Sequence, residues 1–189
     1  MYRLPEALID RYTEDNFYEI QRLNPLVSEY TLGITGKALD LGTGKGTNSK
    51  YLTDNGFELT AVDINPRAIE MMRTQGIDPQ WQDIVELRWS REDYYDVIIC
   101  LYVFQHLSDD DITKVVRHMK YSLKKGGTMI LGSFKTPNNV LSLESMAHLF
   151  CGADGFEMLV KDSWKRIDVS HGSPHYHEGF NLVVKKMGN

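Results

Sequence analysis

Three glycines at alternate positions follow the short apolar run 38–41, in the segment 38–49 that reads ALDLGTGKGTNS. Glycine lacks a β-carbon and adopts positive φ readily, so a strand ending here can turn into a helix and leave its backbone open to a ligand. The G-x-G-x-G spacing differs from the G-x-G-x-x-G of dinucleotide-binding turns and lacks the glycine spacing of a phosphate-binding loop. The segment predicts a strand, a glycine turn and a helix, which form either a ligand site or a simple connection.

Strand-like and helix-like patterns alternate along the rest of the chain. Apolar and β-branched runs predict strands at 38–41, 58–62, 80–82, 95–101, 128–133, 163–169 and 179–185. Helical periodicity predicts helices at 15–30 with a kink or break at Pro25, at 47–55, from Pro66 to Gly76, at 109–123 and at 143–150. This alternation predicts an α/β three-layer sandwich with a mostly parallel, seven-stranded sheet and an antiparallel C-terminal strand.

Acidic residues lie at or near the ends of the first three predicted strands. Ligands of such sheets bind beyond the carboxyl ends of the strands, near the point where strand order reverses. Asp40 can accept hydrogen bonds from a cationic amine or from backbone amides of the glycine turn. Asp63 can bind the two hydroxyls of a ribose. Alternatively, Asp63 caps the helix that begins at Pro66, although Asn65 is the better cap candidate.

The third acid, Asp83, is followed by the apolar Ile84. This pair suits an adenine, because the carboxylate can accept from the exocyclic amine while the isoleucine covers the ring. Taken alone, an acid in the position of Asp83 is more often just solvated. Its position after the third strand, in series with Asp40 and Asp63, favours the nucleotide-like ligand.

With these three acids and the glycine turn, the sequence resembles the class I S-adenosylmethionine methyltransferases over about residues 39–133. The segment DVIICLYVFQHL at 96–107 and the LKKGG turn at 123–127 are similar to further blocks of that family. The resemblance implies a Rossmann-like fold and S-adenosylmethionine as cofactor. The cofactor-binding residues that it implies are Asp40, Gly42, Thr43, Gly44, Asn48, Asp63, Ile64, Asp83, Ile84, Cys100 and Tyr102.

The end of the fourth strand, residues 100–106, should face the transferred methyl group. It lacks the Asn-Pro-Pro-Tyr element of methylases that act on amino groups of nucleic acids and glutamine. This absence, together with a formal net charge of −5, favours a small-molecule acceptor over nucleic acid or a membrane surface. His106 is a candidate general base or a structural residue, and Phe104 is a candidate acceptor contact.

A narrower likeness is to the TehB-type tellurite-resistance methyltransferases. It lies in the segment YEIQR at 18–22, in 39–42 and in Asn48-Ser49, whereas Thr43 stands where a cysteine is common in that family. The likeness implies a small oxyanion or soft nucleophile as acceptor. We expect residues 1–35 to form a helical lid over the cofactor, with Tyr18 and Arg22 near the acceptor, and residues 36–189 to complete a single domain.

The C-terminal loop 170–178, SHGSPHYHE, has an unusual composition. Its histidines at 171 and 175 are candidate catalytic groups near neutral pH, and His177 is a candidate acceptor contact. The alternative is a polar hairpin tip with solvated imidazoles. We predict no metal site, because no feature of the sequence fixes three imidazoles about one point.

Two cysteines, Cys100 and Cys151, do not suggest a disulfide framework, and no stretch approaches the roughly 20 apolar residues of a membrane span. A cytoplasmic monomer or homodimer is therefore expected. Two alternative functions remain open at this point: an NAD-dependent oxidoreductase, because Asp63 would serve its ribose equally well, and a non-catalytic scaffold or sensor that binds S-adenosylmethionine.

Overall fold

The computed structural model describes residues 22–135, 141–151, 155–168 and 175–188, which form one seven-stranded sheet with helices on both faces. The strands are β1 (Gly36–Leu41), β2 (Phe57–Asp63), β3 (Gln80–Trp81), β4 (Tyr95–Leu101), β5 (Leu123–Phe134), β6 (Phe156–Asp168) and β7 (His175–Lys186). The helices are α1 (Pro25–Thr31), α2 (Thr47–Asp54), α3 (Pro66–Thr74), α4 (Asp109–Ser122) and α5 (Leu143–His148), with 3₁₀ turns at Ile84–Glu86 and Phe104–His106.

The order of the strands in the sheet is β3-β2-β1-β4-β5-β7-β6. Strands β1 to β5 pair in parallel, and β7 is antiparallel to both β5 and β6. The predicted Rossmann-like α/β fold with an antiparallel C-terminal strand is therefore confirmed. Strand order reverses between β1 and β4, so the loops that follow these two strands flank a crevice.

Apolar side chains on the two faces of the sheet form two core clusters. The larger cluster packs β1, β4, β5 and β7 against α4 and α5, and the second packs the opposite face against α1 and α2. Strand β4 contributes to both clusters, with Ile98 in the first and Ile99 in the second. The sequence of a strand that is buried on both faces is a nearly continuous apolar run, as in residues 95–101.

Two helices begin at a proline that follows an asparagine cap. The Asn65 side chain accepts from the Arg67 amide at 2.9 Å, and Pro66 opens α3 as predicted. The Asn24 side chain likewise accepts from Leu26, so Pro25 begins α1 and does not kink a longer helix. The predicted stretch 15–21 lies outside the described residues.

Strand β5 begins at Leu123, five residues before the predicted start at Thr128. The pairing with β4 shifts between Tyr95 and Val97, so residues 124–127 form an irregular insertion in the ladder. The Lys124 ammonium contacts the Asp96 carboxylate at 2.7 Å across this insertion. The KKGG segment therefore produces a bulge in the strand and not a separate turn.

The C-terminal hairpin is longer than the sequence predicted. Strand β6 begins at Phe156 instead of Ser163, and β7 begins at His175 instead of Gly179. His175 and His177 therefore belong to a strand and not to the predicted loop. Strand β6 has the parallel direction that was predicted, and it forms one outer edge of the sheet.

The glycine turn after β1 packs directly against the residues that follow β4. A β-carbon added to Gly42, which has a φ of 71°, would lie 2.1 Å from Val103 Cγ2. Gly76, with a φ of 78°, has no atom within 4 Å of the corresponding position. Both glycines therefore adopt a positive φ, but only at Gly42 would an added side chain also collide with a neighbour.

We expect Gly42→Ala to destabilise the ligand-free protein more than Gly76→Ala. Both variants bear the cost of positive φ, about 1–2 kcal/mol, and only Gly42→Ala adds the collision with Val103, about 1–3 kcal/mol more. Urea denaturation of the two variants measures the difference, and Val103→Ala should recover part of it in the Gly42→Ala background. Equal losses in the two glycine variants would contradict the collision.

Candidate functional site at the carboxyl ends of the strands

The glycine turn joins the ends of β1 and β2. The amides of Gly42 and Thr43 both donate to the Val62 carbonyl, at 2.8 and 3.3 Å. The Gly44 amide donates to Asp63 Oδ2 at 2.8 Å. All three glycines of the turn have positive φ, at 71°, 56° and 84°. The backbone of the turn therefore lies against the carboxylate that ends β2.

Asp63 accepts hydrogen bonds from three backbone amides and is 7% exposed. Besides Gly44, its Oδ1 accepts from the Asn65 amide at 2.8 Å. Asn65, and not Asp63, caps α3. Burial raises the pKa of Asp63 to about 6, although hydrogen bonds from the Asn65, Gly44 and Ile64 amides oppose the shift. The ribose role predicted for Asp63 stays a prediction, but the helix-cap alternative is not what the structure shows.

Asp40 is the more deeply buried of the two acids, with 2% of its surface exposed. Its Oδ2 accepts from the Ser49 hydroxyl in α2 at 2.7 Å. Burial raises the pKa of Asp40 to about 7, the Ser49 hydrogen bond lowers it, and the negative charge of Asp63 raises it further. Among the described residues, no lysine or arginine forms an ion pair with either acid.

Asp83 has a local structural role. Its side chain caps the 3₁₀ turn Ile84–Glu86 by accepting from the Val85 amide at 3.0 Å, and partial burial raises its pKa. The neighbouring Ile84 is 5% exposed. Trp81 lies just before this acid and donates its indole N–H to the Ile64 carbonyl at 2.9 Å. Trp81 was missed by the sequence analysis, although it is an exposed aromatic residue at the end of β3.

Residues 102–106, after β4, are held by a strained backbone and by several hydrogen bonds. Tyr102 has a φ of 60°, which is strained for a residue with a side chain, and its amide donates to the Gly132 carbonyl at 2.8 Å. Gln105 donates to the Tyr102 carbonyl at 2.5 Å and accepts from the Ser133 hydroxyl at 3.0 Å. The Gln105 amide nitrogen lies 3.2 Å from His106 Nε2. These contacts fix the position of His106, whose catalytic role stays a prediction.

Two other predicted residues near β4 lie in the core. Cys100 is fully buried, and burial raises the pKa of its thiol well above the usual value. Phe104 is also fully buried and belongs to the larger core cluster. The acceptor contact predicted for Phe104 is therefore not supported by exposure of its side chain.

The predicted acceptor residues are not all described. Tyr18 and His171 lie outside the described residues, and for His175 only the backbone is described. Arg22 is exposed at the start of the described chain. His177 contacts the Phe134 ring, with ring centroids 5.0 Å apart.

No trio of candidate metal ligands occurs in the part of the chain that the structure describes. Within that part, no helix has the length and apolarity that crossing a membrane requires.

Aromatic residues that the sequence analysis did not single out lie beside Tyr102. The Tyr102 ring centroid is 6.1 Å from that of Phe134 and 6.3 Å from that of Trp164. The sequence holds only a weak sign of this cluster, namely the glycines at 132 and 179 inside apolar strands, where a close approach is often the reason for glycine.

The sheet order defines a Rossmann-like protein, and the acids at the strand ends mark a candidate ligand site beside the reversal of strand order. A family model described as a methyltransferase domain matches residues 12–170. The chain therefore belongs to the methyltransferase domain family, which confirms the resemblance found in the sequence.

One curated relative and two solved structures are similar to this chain. The ubiquinone biosynthesis O-methyltransferase of Xanthomonas oryzae pv. oryzae is 27% identical over 129 residues, 62% of this chain and only 53% of the relative. TehB from Haemophilus influenzae superposes with a TM-score of 0.76 at 20% identity, covering 89% of this chain and 64% of TehB. The 1,6-didemethyltoxoflavin-N1-methyltransferase of Burkholderia thailandensis superposes with a TM-score of 0.70 at 16% identity, covering 97% of this chain and 87% of that enzyme. The two structures share the fold.

The raised pKa of Asp40 predicts a pH-dependent stability. Between the ordinary value of 3.8 and about 7, the folded protein holds a proton that the unfolded chain has released. The stability from this group is therefore present below about pH 4 and is lost as pH rises through 7. Asp40→Asn is neutral at every pH and still offers Ser49 an oxygen. Relative to the wild type, we expect this variant to gain stability as pH rises, by at most roughly 1.4 kcal/mol per unit of pKa shift.

Urea denaturation of ligand-free protein between pH 4.5 and 7.5 measures this trend. Asp96→Asn serves as the control, because hydrogen bonds from Lys124 and Lys37 outweigh burial and lower the pKa of Asp96 below 3.8. The stability that it contributes is lost only as pH falls below that value, so its difference from the wild type should be constant above pH 5. A constant difference for Asp40→Asn as well would contradict the raised pKa.

Proposed function

We propose that this protein transfers a methyl group from S-adenosylmethionine to a small-molecule acceptor. One observation carries the proposal: the Gly44 amide, in the turn after β1, meets Asp63 at the end of β2, with Asp40 buried beside them and the reversal of strand order adjacent, between β1 and β4. An open glycine backbone and two carboxyls thus converge where sheets of this kind bind ligands. Membership of the methyltransferase domain family supports the same conclusion.

The acids of the site fit this cofactor. A carboxylate has about four acceptor sites, and the Gly44, Asn65 and Ile64 amides use three of those of Asp63. The Asp63 carboxylate can therefore also accept from a ribose hydroxyl. Asp40 has no cationic partner among the described residues, and a ligand with an amine and a sulfonium would supply one. Burial makes such a charge pair stronger than it would be in water.

The adenine end of the cofactor is assigned to the loop after β3. Asp83 uses Oδ1 for its cap and keeps Oδ2 for an exocyclic amine. Ile84 and Ile64 provide apolar surface for the ring, as the sequence predicted. Gly42, Thr43 and Asn48 complete the site around the glycine turn.

When bound, S-adenosylmethionine supplies a methyl group that its sulfonium already activates. The residues of this chain then position the acceptor and exclude water, which are the main contributions to such a displacement. A general base is needed only where the reacting atom of the acceptor carries a proton. His106, held beside Gln105, is the candidate for that step.

The segment entering α1 supports the proposed lid. The Asn24 amide donates to Asn48 Oδ1 at 3.0 Å, which ties this segment to the first turn of α2, next to the glycine turn. Leu23 and Leu26 pack against the second core cluster on the same side. Leu23 and Asn24 therefore lie close to the site that the lid predicted for residues 1–35 is proposed to cover.

A small acceptor also agrees with the names of two relatives, an O-methyltransferase of ubiquinone biosynthesis and an N1-methyltransferase of a toxoflavin precursor. The proposal covers oxygen, nitrogen and softer nucleophiles as the methyl-accepting atom.

Equilibrium binding separates the proposed function from the oxidoreductase alternative, because NADH binding without S-adenosylmethionine binding would overturn the proposal. Release of S-adenosylhomocysteine with a panel of acceptors separates it from a scaffold, for which binding would occur without turnover.

We expect Asp63→Ala to weaken S-adenosylmethionine binding by about 1–3 kcal/mol, the cost of leaving buried polar groups unpaired. Calorimetric titration measures this loss. Asn65→Ala is the matched control, because it removes the cap of α3 and about 1 kcal/mol of stability without touching the proposed ribose contact. Unchanged affinity in Asp63→Ala would show that this carboxylate only orders the glycine turn.

Binding of S-adenosylmethionine should release protons near neutral pH. Burial raises the pKa of Asp40 to about 7 and that of Asp63 to about 6 in the free protein. A cation and donating hydroxyls favour the ionised forms, so the affinity should rise with pH from 5.5 to 8. Calorimetry at pH 6.5 in buffers of different ionisation enthalpy counts the protons, and Asp40→Asn should release fewer. Equal heats in all buffers would refute the assignment.

A further inference from the structure

Four neighbouring strands each contribute one aromatic residue to the same end of the sheet. Tyr102 follows β4, Phe134 ends β5, Trp164 lies in β6 and His177 lies in β7. The centroid distances are 6.1 Å for Tyr102 and Phe134, 6.3 Å for Tyr102 and Trp164, and 5.0 Å for Phe134 and His177. We call these four residues the aromatic cluster.

The register of the antiparallel strands places the cluster on one face. Gly179 pairs with both Phe134 and Trp164, and residues that face each other across antiparallel strands point to the same side. His177 lies two residues before Gly179 and shares that side. The face is the one covered by α1 and α2, which is also the side on which Asp40 meets Ser49.

Gly179 provides the space for the tryptophan ring. A β-carbon at this position would lie 2.4 Å from Trp164 Cζ2 and 2.5 Å from the Ser133 carbonyl oxygen. The indole of Trp164 therefore lies across β7 and reaches towards Tyr102. Its position beside the end of β4 places it next to the proposed site of methyl transfer.

Two buried polar atoms at this cluster lack hydrogen-bond partners among the described residues. They are the indole nitrogen of Trp164, which can only donate, and the Oδ1 oxygen of Asn181, which accepts. Asn181 lies on the same face, opposite Gly132. A buried polar group without a partner costs free energy, so native proteins rarely leave one without a functional reason.

Resting on the proposed methyl transfer, we propose that the aromatic cluster binds the acceptor, and that the acceptor is a planar aromatic or heteroaromatic molecule. It carries a hydrogen-bond acceptor for the Trp164 indole N–H and a donor for Asn181 Oδ1. The ring of such a molecule packs against Tyr102 and Phe134, in the offset or edge-to-face arrangements that aromatic pairs prefer.

The same cluster does not suit a small inorganic oxyanion. Aromatic faces are negative, and an oxyanion needs several converging donors or cations. The guanidinium of Arg166 lies over the Trp164 ring, 4.7 Å from its centroid, and is engaged there. The acceptor class implied by the TehB-type likeness is therefore disfavoured by the residues of this chain.

The test measures binding of catechol in the presence of saturating S-adenosylhomocysteine, by ligand-observed NMR titration. Catechol is a planar ring with hydroxyls that both donate and accept. We expect it to bind at least 10-fold more tightly than trans-1,2-cyclohexanediol, which has the hydroxyls without the aromatic ring. Tellurite should not displace the bound catechol.

Variants then assign the contacts. Trp164→Phe keeps a ring and removes the indole N–H, so catechol affinity should fall about 5- to 10-fold, the usual effect of one lost hydrogen bond. Asn181→Leu should cause a similar loss. Tyr121→Phe, in α4 on the opposite face of the sheet, is the matched control and should leave catechol affinity unchanged. An unaltered affinity for S-adenosylhomocysteine shows that each variant is folded.

Three outcomes overturn this proposal while leaving the proposed function intact: S-adenosylhomocysteine binds but catechol does not, catechol and cyclohexanediol bind equally, or Trp164→Phe leaves catechol affinity unchanged. A failure of the proposed function has a different signature. In that case the wild-type protein binds neither S-adenosylmethionine nor S-adenosylhomocysteine.

Discussion

Strand β1 is paired along both of its edges, and the geometry of the site depends on this. Residues 36–41 pair with β2, and residues 38–41 also pair with β4 on the other side. Because β1 lies between β2 and β4, the turn that follows it lies between the carboxyl ends of both neighbours, where strand order reverses. This constraint brings the Gly44 amide to Asp63 and the Asp40 carboxyl to Ser49.

The parts of the fold that were predicted correctly have a strong local cause. Strand β4 is an apolar run buried on both faces, and Asn65-Pro66 is a helix start that neighbouring residues determine alone. The early starts of β6 and β7 were missed, because residues 156–162 and 175–178 mix polar and apolar side chains without a strict alternation. The aromatic cluster was missed for a related reason: Phe134, Trp164 and His177 are far apart in the sequence and meet only through strand register.

The two buried acids show how a binding site differs from a core. A protein selected for stability alone would not bury Asp40 and Asp63 near each other, because burial disfavours ionisation of both acids and the charge of Asp63 further disfavours that of Asp40. The backbone amides and Ser49 compensate for part of this cost. A cationic ligand would offset the remaining cost of burying the two acids. The same cost would therefore both destabilise the ligand-free protein and favour binding of the proposed cofactor.

Strand β6 occupies an outer edge of the sheet for 13 residues, longer than most strands of globular proteins. A long unpaired edge can recruit a strand from a second molecule and so begin aggregation. The exposed residues along this edge include Glu157, Lys161, Asp162, Lys165 and Arg166. An incoming strand would have to bury these charges, which opposes such pairing. The hairpin can therefore hold Trp164 beside the end of β4 and still keep its outer edge resistant to self-association.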